Sequence, residues 1–387
     1  MRFIVCSLFF VFFLSACTRK ENDSNLPDPD EVLQVNQIQI LASHNSYRTR
    51  TTDTILDFLQ NLSSVLPASL DPSDLDYTHL PIEDQMTSYG IRGLEIDIYN
   101  DPNGGAFYKR KVNGFVGLDT FSNIPELLQP GCKVLHIKDV DYNTHFYTFN
   151  QFLVALKSWS DQHPGHLPLF INIETKSDAP GDEPLLAQLG FQPAPLWDAA
   201  SADALDAEVQ SVFGDQLDKI ITPDKLRADL PRLEDVVLQN KWPKLGACRD
   251  KIFFIMQGDL VTYYVQNHPS LTGRAMFVYA DPGEDEAAFV IRNSPKNDEA
   301  EIQYLVSQGY IVRTRTDDGT DEARNGDYSK RDAAFRSGAQ INSTDYYKAD
   351  SRAGQPGWTD FTVRFPNGVI ARKNPVNAAS IECREVR

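Results

Sequence analysis

The chain has 387 residues, of which 41% are apolar, enough to build a large core. Its formal net charge of −17 excludes a broad nucleic-acid interface and broad attraction to anionic membranes. A local basic pocket for a phosphate remains compatible with that charge.

The first residues do not read as fold. Arg2 is followed by an apolar run over 3–13 and then by Leu14-Ser15-Ala16-Cys17. A positive start, a short apolar stretch and small residues mark an export signal over 1–16. The run is too short to span a bilayer. Its ending resembles the bacterial lipobox, in which Cys17 becomes the lipidated first residue. Residues 17–36 are polar and contain Pro and Asp, as a tether does. The expectation is an exported protein held by lipid at the bacterial outer membrane or cell surface. Residues 37–387 then form one domain, expected to be monomeric.

From residue 37 onward one theme repeats: a short apolar run ends in polar residues, and a helical or loop stretch follows. Eight runs are read, at 38–42, 91–99, 133–140, 167–176, 251–257, 275–280, 310–316 and 339–346. Such runs suit buried parallel strands. Residues 149–160 place Phe152, Leu153, Leu156 and Trp159 at helical spacing, and 299–307 and 329–337 are shorter helix candidates. Eight strands alternating with helices predict a single (β/α)8 (TIM) barrel. The connections 44–90 and 177–250 are long enough to hold helices of their own. After Tyr347, the alternation of Trp358, Phe361, Val363 and Phe365 predicts a hairpin or packing beneath the barrel.

Active sites of such barrels lie at the C-terminal strand ends. There the chain places His44-Asn45, Glu95-x-Asp97, His136-x-Lys138, Glu174-x-Lys176, Arg313-x-Arg315 and Ser343-Thr344-Asp345-Tyr346. Strand alternation aims the members of each spaced pair the same way. Three carboxylates in one low-dielectric cavity need a counter-charge. Oxygen donors from Asn45, Glu95, Asp97 and Glu174 suit Ca²⁺ or Mg²⁺ better than Zn²⁺. Taken alone, Arg313-x-Arg315 reads either as a phosphate clamp or as a salt-bridged barrel layer. His79, His145, His163, His166 and His268 fall in predicted loops or helices and read as surface residues. Besides Cys6 and Cys17 the chain holds Cys132, Cys248 and Cys383, whose spacing is not that of a zinc site. Export permits a disulfide among them, and the pairing stays open.

These residues resemble a known family. His44-Asn45-Ser-Tyr47, Arg92-Gly-Leu-Glu95-Ile-Asp97 and Leu135-His136 with Asp139 and Asp141 are similar to bacterial Ca²⁺-dependent phosphoinositide-specific phospholipase C. So are the stretch 159–168 running into Asn172-Ile-Glu174-Thr-Lys176, the stretch 312–317, and the stretch 337–346. Lys138 departs from the family, where Pro follows His-Ile. The resemblance implies a (β/α)8 barrel that uses Ca²⁺, ahead of Mg²⁺. It implies phosphatidylinositol-type lipids as substrate, cleaved to diacylglycerol and a cyclic inositol phosphate. His136 would be the general acid, and His44 would stabilise the phosphorane charge. Lys176, Arg313 and Arg315 would hold phosphate, with Ser343 and Tyr346 lining the inositol pocket. A glycerophosphodiester phosphodiesterase shares two histidines and a Glu-x-Asp pair but resembles His-Arg-Gly where this chain has His44-Asn45-Ser46. A barrel that binds inositol glycans without turnover is the third reading.

Overall fold

In the computed structural model, which describes residues 26–64, 66 and 70–387, ten strands are formed. They are β1 (Ile38–Ser43), β2 (Gly93–Tyr99), β3 (Lys133–Val134), β4 (Leu169–Lys176) and β5 (Ile252–Gly258), then β6 (Phe277–Val278), β7 (Phe289–Ile291), β8 (Ile311–Arg315), β9 (Ile341–Thr344) and β10 (Ala371–Lys373). The pairing order is β6-β5-β4-β2-β1-β9-β8-β7. A parallel bridge from Tyr279 to Phe289 joins the two ends. The result is the expected α/β barrel of parallel strands. The proposed signal, Cys17 and all but the last eleven residues of the predicted tether lie outside the described residues.

One predicted strand is replaced by another. Of the run 133–140 only β3 is extended, and it pairs antiparallel with β2, Ile98 facing Val134. Residues beyond it turn sharply, with an Ile137–Asp141 bridge and Asp139 at φ 66°. The missing barrel strand is β7. It is three residues long, too short for a periodic pattern to be read.

Register stacks the barrel interior in layers. Gly93 faces Phe170, Glu95 faces Asn172 and Asp97 faces Glu174. At the base, Phe170, Phe253, Phe277 and Phe289 pack with ring centroids 4.9–6.1 Å apart. Each buried ring contributes on the order of 1.5–3 kcal/mol. Gly93 is required there, because a Cβ would stand 2.5 Å from that of Ala42. The apolar floor leaves the polar layers above it facing the mouth.

The predicted helices form over Phe149–Gln162, Pro295–Gln308 and Ser329–Ser337. The first begins with a capping box, Thr148 with Gln151. The C-terminal stretch packs along the wall rather than beneath the barrel. Phe361 stacks on Tyr328, Phe365 lies against Phe335, and β10 pairs with the lower half of β1. β2 meets β1 only at Gly93–Ala42, so that edge was free to be filled. Cys132, Cys248 and Cys383 are all free thiols, and the first two are buried.

Candidate active site

A cavity of about 430 Å³ opens at the C-terminal ends of the strands. Its wall includes His44, His136, Lys176, Arg315 and Asp345, with Tyr77 and Leu75 from the connection 44–90. That connection folds back over the mouth. Asp76 is held by Arg50, Arg324 and Arg352, which pins the segment to the barrel loops.

The two histidines are built alike. His44 follows β1, and its Nδ1 lies 3.0 Å from Asp345 Oδ1. Asp345 follows β9 and also accepts from Arg315 Nη2 at 2.9 Å. Burial alone would raise the Asp345 carboxyl, but His44 and Arg315 hold it well below the usual carboxylate range. His136 sits in the turn after β3, its Nδ1 3.3 Å from Asp141 Oδ2. Asp141 accepts from Arg48 Nε at 2.7 Å. Burial, with Lys176 and Arg48 nearby, pulls His136 down to about 4, against the Asp141 contact. Side-chain exposures of 20% and 17% leave both rings open to the cavity while their carboxylates are sealed. In each case Nδ1 is committed to the carboxylate, so Nε2 is the nitrogen free for chemistry.

The predicted metal donors come together on neighbouring strands. Gln257 Nε2 lies 3.4 Å from Glu95 Oε1 and 3.1 Å from Glu174 Oε2. Asn45 sits beside them at φ 44°, its neighbour Ser46 bonded to the backbone of Glu95. The buried Oδ1 atoms of Asn45 and Asp97 have no hydrogen-bond partner among the described residues. Burial holds the Asp97 carboxyl well above its usual range; Lys176 opposes this, and Glu174 and Glu95 reinforce it. Orphaned acceptor oxygens beside an excess of carboxylate are what a hard cation satisfies, so these residues fit Ca²⁺. Protein cations stand partly in that place. Arg313 Nη2 lies 2.5 Å from Glu95 Oε2, and Lys176 Nζ lies 3.4 Å from Asp97 Oδ2. Among the described residues no three His, Cys, Asp or Glu stand at ligand spacing.

The remaining predicted residues divide. Lys176 and Arg315 line the cavity. Arg313 is buried below it as a salt-bridged layer, reaching Glu95, Asn293 and Ser343. Ser343 is buried in the same layer. Tyr346 is not part of the cavity wall; its ring packs edge-on against Phe361. Lys138 is buried behind the turn, beside Asp139 and over the Phe107 ring, rather than in the cavity. His79 corrects the surface reading. It is buried between Tyr77 and Tyr347, with Nε2 3.5 Å from Asp345 Oδ1. His166 is buried too, bonded to Leu167 and Ser160.

Sequence reasoning did not single out Asp141 and Asp345 as partners of the histidines, nor Arg48 and Tyr77. The two aspartates stand in the quoted motifs and were legible there. Arg48 carries no sequence signal, because its role depends on a carboxylate 93 positions away.

Comparisons with known proteins agree with this architecture. Among curated protein sequences none matches the chain significantly. A Ca²⁺-dependent phosphoinositol-specific phospholipase C from Pseudomonas sp., in its apo form, superposes with a TM-score of 0.52 at 16% identity, over 92% of this chain and 100% of that one. The same enzyme's myoinositol complex also scores 0.52 at 16% identity, over 90% and 98%. At that identity the likeness shows the fold alone. The sequence profile described as phosphoinositide phospholipase C, Ca²⁺-dependent, matches residues 33–375, nearly the whole barrel with both histidines and all four oxygen donors. The chain therefore belongs to the Ca²⁺-dependent phosphoinositide phospholipase C family, a family of phosphodiesterases.

Proposed function

We propose that the protein cleaves phosphatidylinositol-type lipids to diacylglycerol and a cyclic inositol phosphate. The observation that carries this reading is the pair of carboxylate-backed histidines facing one cavity with Lys176 and Arg315. The inositol 2-hydroxyl forms a bond to phosphorus as the bond to the diacylglycerol oxygen breaks. The 2-hydroxyl proton passes to Asp97. Its contact with Lys176 is long, at 3.4 Å, whereas Glu95 is engaged by Arg313. His136 Nε2 delivers a proton to the leaving alkoxide. His44 and Arg315 hold the charge that develops on the phosphoryl oxygens, and Lys176 adds to it. Asn45, Glu95, Asp97 and Glu174 would hold the metal; bound Ca²⁺ polarises the phosphoryl oxygen and lowers the pKa of a coordinated hydroxyl.

His136 is neutral in the resting protein at neutral pH. An anionic phosphodiester in the cavity offsets Lys176 and Arg48 and raises it toward the acid role. The test is turnover of phosphatidylinositol, with glycerophosphoinositol alongside, in Ca²⁺ and in excess chelator. Chelator-sensitive release of diacylglycerol and cyclic inositol phosphate is expected. Glycerol phosphate as the product would point to a glycerophosphodiester phosphodiesterase. Binding without turnover in Ca²⁺ would overturn both enzymatic readings.

Export and anchoring through Cys17 belong to the same proposal. Cys17→Ser should release the protein from membranes and leave its thermal unfolding unchanged. Retention in a salt-washed membrane fraction would remove lipidation as the anchor.

A further inference from the structure

Another cavity lies at the opposite end of the barrel. It holds about 300 Å³ between the N-terminal ends of β2, β4 and β5. Arg92, Trp159, His163 and Arg249 line it. Arg92 immediately precedes β2 and is 8% exposed. Its Nη1 donates to the carbonyls of Met86 and Ile91, both at 2.9 Å. Its Nε is buried without a partner, and its Nη2 donates to no group among the described residues. The guanidinium lies over the Trp159 ring at 5.3 Å.

The other buried arginines are provided for. Arg48, Arg274, Arg313 and Arg315 each lie on a carboxylate. Arg110 has none, but every guanidinium nitrogen is hydrogen-bonded. Arg92 has neither. No side-chain carboxylate among the described residues pairs with it, and burial together with Arg249 pulls it down to about 10. Arg249 itself is spent on Asp30, the Gly165 carbonyl and a terminal carboxylate oxygen of Arg387, which also lines the cavity. Removing a buried charge's partner is among the costlier defects a fold carries. A charge buried without one calls for a counter-ion from outside. The unspent Nε–Nη2 edge is the fork that grips two oxygens of a phosphate or carboxylate. The half-buried His163 ring, stacked on the buried Trp159 indole at 4.3 Å, adds a flat aromatic surface to the cavity wall.

We infer that this basal cavity is a second anion site, distinct from the catalytic mouth, which takes a small phosphate-bearing molecule on Arg92. The phosphate could come from solution or from a lipid headgroup, since the chemistry of capture is the same.

The test uses the full chain in excess chelator, with sn-glycerol 3-phosphate as probe and thermal unfolding as readout. Ligand binding to the native state raises the melting temperature. A concentration-dependent rise is expected, and it should persist in Arg315→Met, which disables the mouth. Arg92→Gln should weaken the apparent affinity at least tenfold while turnover of phosphatidylinositol stays near wild type. A second variant guards against simple misfolding. His163→Glu places a carboxylate beside Arg92, so it should melt higher than wild type without probe and lose the probe's effect. Sedimentation with vesicles containing phosphatidic acid separates the sources: binding lost in Arg92→Gln marks a lipid headgroup, and binding unchanged marks a soluble phosphate. The inference is overturned if the probe's effect survives both Arg92→Gln and His163→Glu, if it vanishes in Arg315→Met, or if the wild type shows none.

Discussion

The two histidine clusters have the same wiring and different surroundings. His136–Asp141–Arg48 is sealed: Arg48 is fully buried, and its remaining donors go to the carbonyls of Tyr77 and Leu75. His44–Asp345–Arg315 is open: Arg315 lines the cavity, and its buried Nε has no partner among the described residues. One arginine can only hold a carboxylate in place. The other can hold a carboxylate and meet substrate. The difference separates a proton-transfer half, where orientation and pKa matter, from a charge-binding half, where contact with the phosphoryl group matters.

The sharpest way to test that division is leaving-group chemistry. On phosphatidylinositol, His136→Ala should lose about 10²–10⁴-fold in rate, the range for general acid catalysis. With a phenolate leaving group, which needs no proton, most of that loss should disappear. His44→Ala should lose comparable activity on both substrates. If His44→Ala is the variant rescued, the roles are exchanged.

Stability should split the arginines. Arg48→Met leaves Asp141 buried and unpaired, which typically costs about 3–5 kcal/mol, read as a lowered urea midpoint. Arg315→Met should leave the midpoint closer to wild type, since His44 still faces Asp345, and should lower turnover instead. Equal destabilisation by both would erase the distinction between sealed and open clusters.

The smallest effect is in pH. The folded protein holds His136 at about 4, below the ordinary value of about 6.5. The unfolded chain therefore binds that proton first, and stability falls as pH drops from about 6.5 to about 4. The contribution is on the order of 3 kcal/mol and should be missing from His136→Ala in urea titrations. Catalysis should show the counterpart. The basic limb of kcat, which reports the substrate complex, should lie at higher pH than that of kcat/KM. Coincident limbs would mean that bound phosphate does not raise His136.

The barrel was legible because short apolar runs alternate with helical stretches, and the site because strand ends carry polar pairs at a spacing of two, with register putting Glu95, Asp97, Asn172 and Glu174 on one inner face. What escaped the sequence has a common cause. β7 is too short to show a period. The turn after β3 is closed by a left-handed Asp139, which an apolar run does not announce. Arg313 and Arg315 look equivalent in sequence, and only depth in the barrel separates a layer residue from a cavity residue. His79 was read as surface because a long connection was expected to face solvent, and three arginines on Asp76 fold it inward.

The route of the chain into the barrel constrains where substrate can come from. Asp30 docks on Arg249 just before β5, and the Pro27 carbonyl accepts from Arg384 N, so the described chain enters at the base, away from the mouth. Ten residues from Cys17 to Leu26 span at most about 35 Å when fully extended. If Cys17 carries the proposed lipid, that leash keeps the base against its own leaflet and points the histidines outward. Catalysis would then act in trans, on lipid presented by a facing surface or shed into solution. The rate of a vesicle-anchored enzyme should rise with the concentration of separate substrate vesicles and be low toward phosphatidylinositol in its own bilayer.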